Sequence, residues 1–254
     1  MAITDKKAGV WGLDQAYNKR NQGVWPVPGS VLDNAQTFMW GFNEKGQLGQ
    51  NNKTDYSSPV QVPGGIWTIK GDVGYQNAMQ IKSDGTLWGW GSNSYGKLGF
   101  NTAGTPTDTS SPKQVPGTTW ANVSVGGEIA LVTKTDGTLW TMGRNMYGQL
   151  GQNNTVHSSS PTQIPGTNWS ITHTSSATYR GNSAQLKTDG TLWGWGRNVN
   201  GVLGLGSAGG FSDGRSSPTQ IPGSLWSEVS AGSGRNNYAI RTDGTLWSWG
   251  YNNK

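Results

Sequence analysis

The sequence predicts an all-β protein, a β-propeller of about five four-stranded blades whose first blade is incomplete, and three observations predict it. The stretch SDGTLWGWG, from Ser83 to Gly91, returns as TDGTLWTMG from Thr135, TDGTLWGWG from Thr188 and TDGTLWSWG from Thr242. Its Asp-Gly pairs begin at Asp84, Asp136, Asp189 and Asp243, spaced 52, 53 and 54 residues apart, and a fixed period of that order marks a propeller or another repeat architecture. Within each period four short runs of strand character alternate with turn signals, which is the unit of a propeller blade. The composition then removes the competitor. Forty glycines and fourteen tryptophans, with charged residues at only 13%, do not fit a stack of helices.

Residues 1 to 23 stand outside the repeat and form an N-terminal arm; residues 24 to 254 form the propeller. Leu13 to Asn21 has the pattern of two helical turns, too short to stand alone, so the arm is expected to pack on a partner through Trp11, Tyr17, Lys19 and Arg20. Each complete unit then opens on Pro-Gly followed three residues later by Trp, as at Pro63, Pro116, Pro165 and Pro222. A first strand follows, such as Val123 to Val125. A second runs through Ala78–Lys82, Ala130–Lys134, Ala184–Lys187 and Ala239–Arg241. Asp-Gly is expected to close a two-residue type I′ hairpin, with both residues at positive φ. The third strand is Thr-Leu-Trp-x-Trp-Gly. The fourth, Ser-Pro-x-Gln-(Val/Ile)-Pro-Gly, carries the proline that suits an edge strand.

Alternation places Trp88 and Trp90 on one face of the third strand, with Leu87 and the small Gly89 on the other. The small position recurs as Thr141, Gly194 and Ser248. The indoles of one blade are therefore expected to wedge beside the next, and twelve of the fourteen tryptophans fall in the repeats, which makes them core. Asn43, Asn93, Asn145, Asn198 and Asn252 follow the third strand and are expected to hold its exit turn. The first copy lacks its inner strand, and the last stops before its fourth. Residues 24 to 29 match the fourth-strand pattern, so they are expected to supply the last blade's outer strand and close the ring. The competing arrangement is an open arc completed by another subunit.

With no cysteine, the chain has no disulfide, thiol chemistry or cysteine-zinc site. No apolar leader or membrane-length segment is present, so neither secretion by a signal peptide nor membrane insertion is expected. A net charge of +5 without a lysine or arginine run does not argue for nucleic acid. Two histidines, His157 and His173, have no metal-ligand spacing, and no repeated acid stands beside them. No catalytic residue, metal or cofactor is assigned, and the chain is expected not to be an enzyme.

The phrase DGTLWGWGSNSYGKLG, with its downstream SSPKQVPG, resembles the regulator of chromosome condensation repeat family over residues 33 to 254. That resemblance implies a β-propeller, and family members act as guanine-nucleotide exchange factors on chromatin or as protein-docking modules. Where the family commonly carries Gly-x-x-His after the first strand, this chain has Gly74-Tyr75-Gln76-Asn77 and Gly126-Gly127-Glu128-Ile129. A second resemblance, of Gly9 to Pro26, is to the opening segment of tailed-phage structural proteins.

Taken together, these features lead to the expectation of a phage virion structural or adhesion protein, localised to the particle. Its partners would be other virion proteins through the arm, and a host cell-surface glycan or protein; a homo-oligomer is allowed. A lectin-like glycan binder is the first alternative, with Tyr95, Arg144, Tyr147 and Arg197 as ligand-binding residues in the loops after the third strand. A chromatin or GTPase regulator is the second.

Overall fold

The structure is a computed structural model, and it describes residues 36–102, 108–176, 181–207, 213–231 and 236–252. Among the described residues, seventeen strands form five antiparallel sheets, one per repeat. Blade 1 has two strands, β1 (Phe38–Gly41) and β2 (Tyr56–Gln61). Blade 2 comprises β3 (Trp67–Val73), β4 (Asn77–Lys82), β5 (Leu87–Gly91) and β6 (Thr109–Gln114). Blade 3 comprises β7 (Trp120–Val125), β8 (Ile129–Lys134), β9 (Leu139–Gly143) and β10 (Ser158–Gln163). Blade 4 comprises β11 (Trp169–Ser176), β12 (Asn182–Lys187), β13 (Leu192–Gly196) and β14 (Arg215–Gln220). Blade 5 has three strands, β15 (Trp226–Ala231), β16 (Asn236–Arg241) and β17 (Leu246–Gly250). The strands of each sheet follow chain order, and the inner strands β3, β7, β11 and β15 neighbour one another in turn. The five-blade all-β reading and the thin first blade are as the sequence predicts. The arm, the boundary at residue 23 and the closing strand of residues 24 to 29 lie outside the described residues.

The Asp-Gly turn differs from expectation. Only the glycine has positive φ, 77° at Gly85, while Asp84 does not. Lys82 N donates to Thr86 O at 2.9 Å and Gly85 N to Lys82 O at 3.0 Å, so the loop has three residues, a turn followed by a left-handed glycine. The reason is the aspartate side chain. Asp84 Oδ1 accepts from Thr86 N at 2.9 Å and from its hydroxyl at 2.6 Å, and that hydroxyl accepts from Trp88 Nε1 at 2.8 Å. The same chain of bonds recurs at Asp136, Asp189 and Asp243. These bonds from the threonine hydroxyl and amide hold all four carboxyls below the ordinary aspartate range.

The tryptophans stack the blades. Trp90 and Trp195 are buried, and their indole N–H groups donate at 2.9 Å to Gln47 O and Gln149 O of the preceding blade. Trp249 does the same to Val202 O. The wedge sits against the last glycine of Gly-x-Leu-Gly: a Cβ at Gly49 or Gly151 would press on the indole of Trp90 or Trp195. The small position Gly89 is instead filled by Leu98 of its own blade. On the opposite rim Lys82, Lys134, Lys187 and Arg241 each lie over two indoles, those of Trp67 and Trp88 in the first case, at 4.9 and 3.9 Å. Every repeated tryptophan of blades 2 to 4 is thus used by the scaffold.

Candidate functional site

Function has to come from residues the copies do not share, and these concentrate in the loops that leave the third strands. In blades 1 to 4 each loop begins on a buried asparagine, whereas Asn252 of blade 5 is exposed. Asn145 Oδ1 accepts from Leu150 N at 2.8 Å, while its Nδ2 donates to Asn154 O and Val156 O, both at 3.0 Å. Asn43 makes the matching bonds, and Asn93 and Asn198 accept from Leu98 N and Leu203 N. These asparagines are turn-holders, and they do it through the side chain, since Asn93 and Asn198 have φ of −110° and −118°. The left-handed residues are two positions further on, Tyr95 at φ 59° and Asn200 at 62°. A tyrosine there is uncommon and stores strain, which clusters at functional positions.

The structure brings the four ligand candidates together in two pairs, each bridging adjacent blades. The Arg144 guanidinium of blade 3 lies over the Tyr95 ring of blade 2 at 5.0 Å. Arg197 of blade 4 lies over Tyr147 of blade 3 at 4.9 Å. Arg144 is anchored from behind by Glu128, whose two carboxylate oxygens accept from Nη1 at 2.5 and 2.7 Å. His157 meets the Tyr95 ring edge-on at 5.2 Å, and its Nδ1 accepts from Asn145 N at 2.9 Å, the place Asp55 fills in blade 1. One face of each tyrosine ring is therefore already taken by a guanidinium, and a sugar stacks only on a face left open. Met146, half exposed, stands beside the Arg144 pair.

Three residues near this rim were not assigned these roles from sequence. Glu128 clamps Arg144. Asp72 Oδ2 accepts from Val125 N of the next blade at 2.8 Å. Lys97 escaped notice, being the variable residue of Gly-x-Leu-Gly. Its side chain is 2% exposed, and Nζ donates to Gly127 O at 2.8 Å. Burial pulls its pKa down to about 8, against the opposing pull of Asp108 and Glu128. Among the described residues no cluster of three or more His, Cys, Asp or Glu is placed to hold a metal, and no helix is long and apolar enough to cross a membrane. The proposed arm residues Trp11, Tyr17, Lys19 and Arg20 and the side chain of His173 lie outside the described residues.

Five four-stranded or truncated sheets in series, stacked by indoles and carrying a variable rim, define a β-propeller repeat protein. Four stretches, residues 34–73, 84–132, 136–178 and 189–235, match the Regulator of chromosome condensation (RCC1) repeat, which is more than half of the chain. The chain belongs to the RCC1 repeat family. It is 31% identical over 183 residues to the Ultraviolet-B receptor UVR8 of Arabidopsis thaliana, covering 70% of this chain and 41% of that protein. To the Probable E3 ubiquitin-protein ligase HERC4 of Rattus norvegicus it is 27% identical over 196 residues, 76% of this chain and 18% of that one. The crystal structure of Prp20p from Saccharomyces cerevisiae, reported with its binding properties to Gsp1p and histones, superimposes with a TM-score of 0.70 at 19% identity, covering 85% of this chain and 54% of that chain. The chain thus spans less than half the length of UVR8 and HERC4 and about half of the Prp20p chain.

These relatives overturn the virion expectation, both as function and as localisation: they are eukaryotic proteins, and no phage protein stands among them. The phage resemblance rested on fewer than twenty residues at the front, Gly9 to Pro26, while the repeat match runs from residue 34 to residue 235. Of the readings weighed from sequence, the chromatin or GTPase regulator accords best with these relatives.

Proposed function

We propose that this chain is a non-enzymatic protein-docking propeller of the chromatin or GTPase regulator class, engaging its partner through the rim of Tyr95, Arg144, Tyr147 and Arg197. The carrying observation is the pair of inter-blade arginine-over-tyrosine stacks. They occupy a slot where the other copies have unrelated residues, Lys45 with Ser92 and Asn200 with Tyr251. The tryptophan, Asp-Gly-Thr-Leu and asparagine positions are common to most of the copies and are used by the scaffold, so the rim is where a partner reads this chain.

Arginine and tyrosine dominate the energetics of protein interfaces, and a guanidinium already stacked and clamped loses less side-chain freedom on binding. Arg144 is held on two sides, by Glu128 and by Tyr95. The binding of Prp20p to Gsp1p and histones supports a protein partner of that kind. HERC4 is a ligase of which the matched part is only 18%, so its activity gives no reason to place a reaction on this chain.

Titration calorimetry of the purified chain against core histones, and against a nucleotide-loaded small GTPase, tests the reading. Binding to at least one is expected, with Arg144→Ala/Arg197→Ala weakening it tenfold or more, since each truncated anchor costs on the order of 1 kcal/mol or more. Absence of binding to both, or binding that the double variant leaves unchanged, overturns it.

A further inference from the structure

Blade 5 has no fourth strand among its described residues, and the edge it leaves is specific. In the other blades the incoming strand makes one set of contacts. Its Val or Ile donates N–H at 2.8 Å to the carbonyl of the first third-strand residue: Val62 to Thr37, Val115 to Leu87, Ile164 to Leu139, Ile221 to Leu192. Those four aliphatic side chains are buried, and they seal Leu87, Leu139 and Leu192, each 0% exposed. The glutamine before them lies opposite the first tryptophan position, as Gln114 does to Trp88, Gln163 to Trp140 and Gln220 to Trp193. At the strand's start, a serine carbonyl accepts from the preceding blade's loop. Asn51 N reaches Ser110 O, Asn101 N reaches Ser159 O, and Asn153 N reaches Ser216 O, at 2.7 to 2.9 Å.

On blade 5 the same places stand ready. Leu246, the counterpart of Leu87, is 68% exposed, and Trp247 is half exposed. Gly206 occupies the loop position of Asn51, Asn101 and Asn153, is left-handed like them at φ 79°, and has open space around its Cβ direction. We infer that the β17 edge, together with Gly206, is a binding site for an extended strand of the form Ser-Ser-Pro-x-Gln-(Val/Ile)-Pro supplied by another polypeptide, since residues 24 to 29 of this chain keep the Val-Pro-Gly of that pattern but have Pro26 in place of its glutamine and no Ser-Ser-Pro. The strand pairs antiparallel with Leu246–Gly250, its aliphatic residue covering Leu246. Its serine carbonyl accepts from Gly206 N. The addition of a strand to a sheet edge supplies main-chain hydrogen bonds for affinity and alternate side-chain pockets for specificity. One contact of the internal blades is missing here. The following serine hydroxyl bonds to Asn51, Asn101 or Asn153 Oδ1 elsewhere, but Gly206 has no side chain to receive it. This site shares no residue with the arginine–tyrosine pairs, and the inference does not rest on the partner proposed there.

The test uses a fluorescein-labelled peptide with the sequence of residues 158–166, Ser-Ser-Ser-Pro-Thr-Gln-Ile-Pro-Gly, and the full chain, read by fluorescence anisotropy. Saturable binding is expected. Exchanging the peptide's isoleucine for aspartate weakens it tenfold or more, whereas exchanging its third serine for alanine changes it less than twofold. Leu246→Asp in the protein, at an exposed position the fold tolerates, also weakens it tenfold or more. No saturable binding, or equal binding of the aspartate-bearing or a scrambled peptide, overturns the inference, as does binding indifferent to Leu246→Asp.

Discussion

Lys97 carries an ammonium into a place where its neighbours in the repeat have Gln47, Gln149 and Val202. Removing a charge from water costs several kcal/mol unless partners replace the hydration, and one carbonyl bond with two nearby carboxylates does so only in part. The depressed pKa, about 8 against 10.5, fixes the sign of the pH dependence. Between those values the unfolded chain holds more protons than the folded one, so stability rises with pH across that window and the gain is lost as pH falls through 8. Urea denaturation at pH 7.5 and pH 10 is expected to show wild type gaining up to roughly 3 kcal/mol relative to Lys97→Met. A flat difference between the two proteins contradicts it. Lys97 was invisible from sequence because its slot is variable and solvent-tolerant in appearance; what buries it is the neighbouring blade's loop at Gly127. The roles of Glu128 and Asp72 are likewise hidden in the sequence, since their partners Arg144 and Val125 are remote in the chain.

At the scale of the element, the third strand and its turn were the most readable parts of the chain. Repetition of Asp-Gly-Thr-Leu-Trp located the hairpin and both tryptophan faces. The turn type was not readable, because Asp-Gly serves two turns, and the choice falls to a threonine hydroxyl that bridges aspartate and indole. Thr138→Val is accordingly expected to cost about 1 kcal/mol by loss of that bridge, measured by chemical denaturation, while leaving the fold unchanged. The contribution of the ionised turn aspartates is present above their unfolded pKa and is lost as pH falls through the lowered folded value. The two buried tryptophans of blade 2 differ in a way sequence alone does not reveal. Trp90 donates to Gln47 O of blade 1, whereas the Trp67 N–H has no acceptor among the described residues. Trp90→Phe is expected to cost about 1 kcal/mol more than Trp67→Phe, and equal costs would show that the inter-blade bond contributes nothing.

At the scale of the molecule, periodicity gave the five-blade count and the thin first blade, while the closing strand expected from residues 24 to 29 lies outside the described residues. Function was far less readable. A short front segment suggested a virion, whereas the repeats themselves carry the family, and the relatives follow the repeats. The rim candidates Tyr95, Arg144, Tyr147 and Arg197 were found by asking where copies disagree, but their pairing across blades needed the fold, since 49 and 50 residues separate the partners. The shared residues build the scaffold, the unshared Lys97 is buried within it, and the proposed partner surface is drawn from the unshared residues at the rim.

Equilibrium denaturation of Asn145→Ala beside Arg197→Ala tests that division most directly. Asn145 is shared, buried and bonded to the chain at three points, so its loss is expected to cost about 3 kcal/mol or more. Arg197 occupies a slot that varies among the five copies and is stacked on the rim, so its loss is expected to cost about 1 kcal/mol or less. An Arg197→Ala protein destabilised as severely as Asn145→Ala would make the rim part of the scaffold and contradict the account.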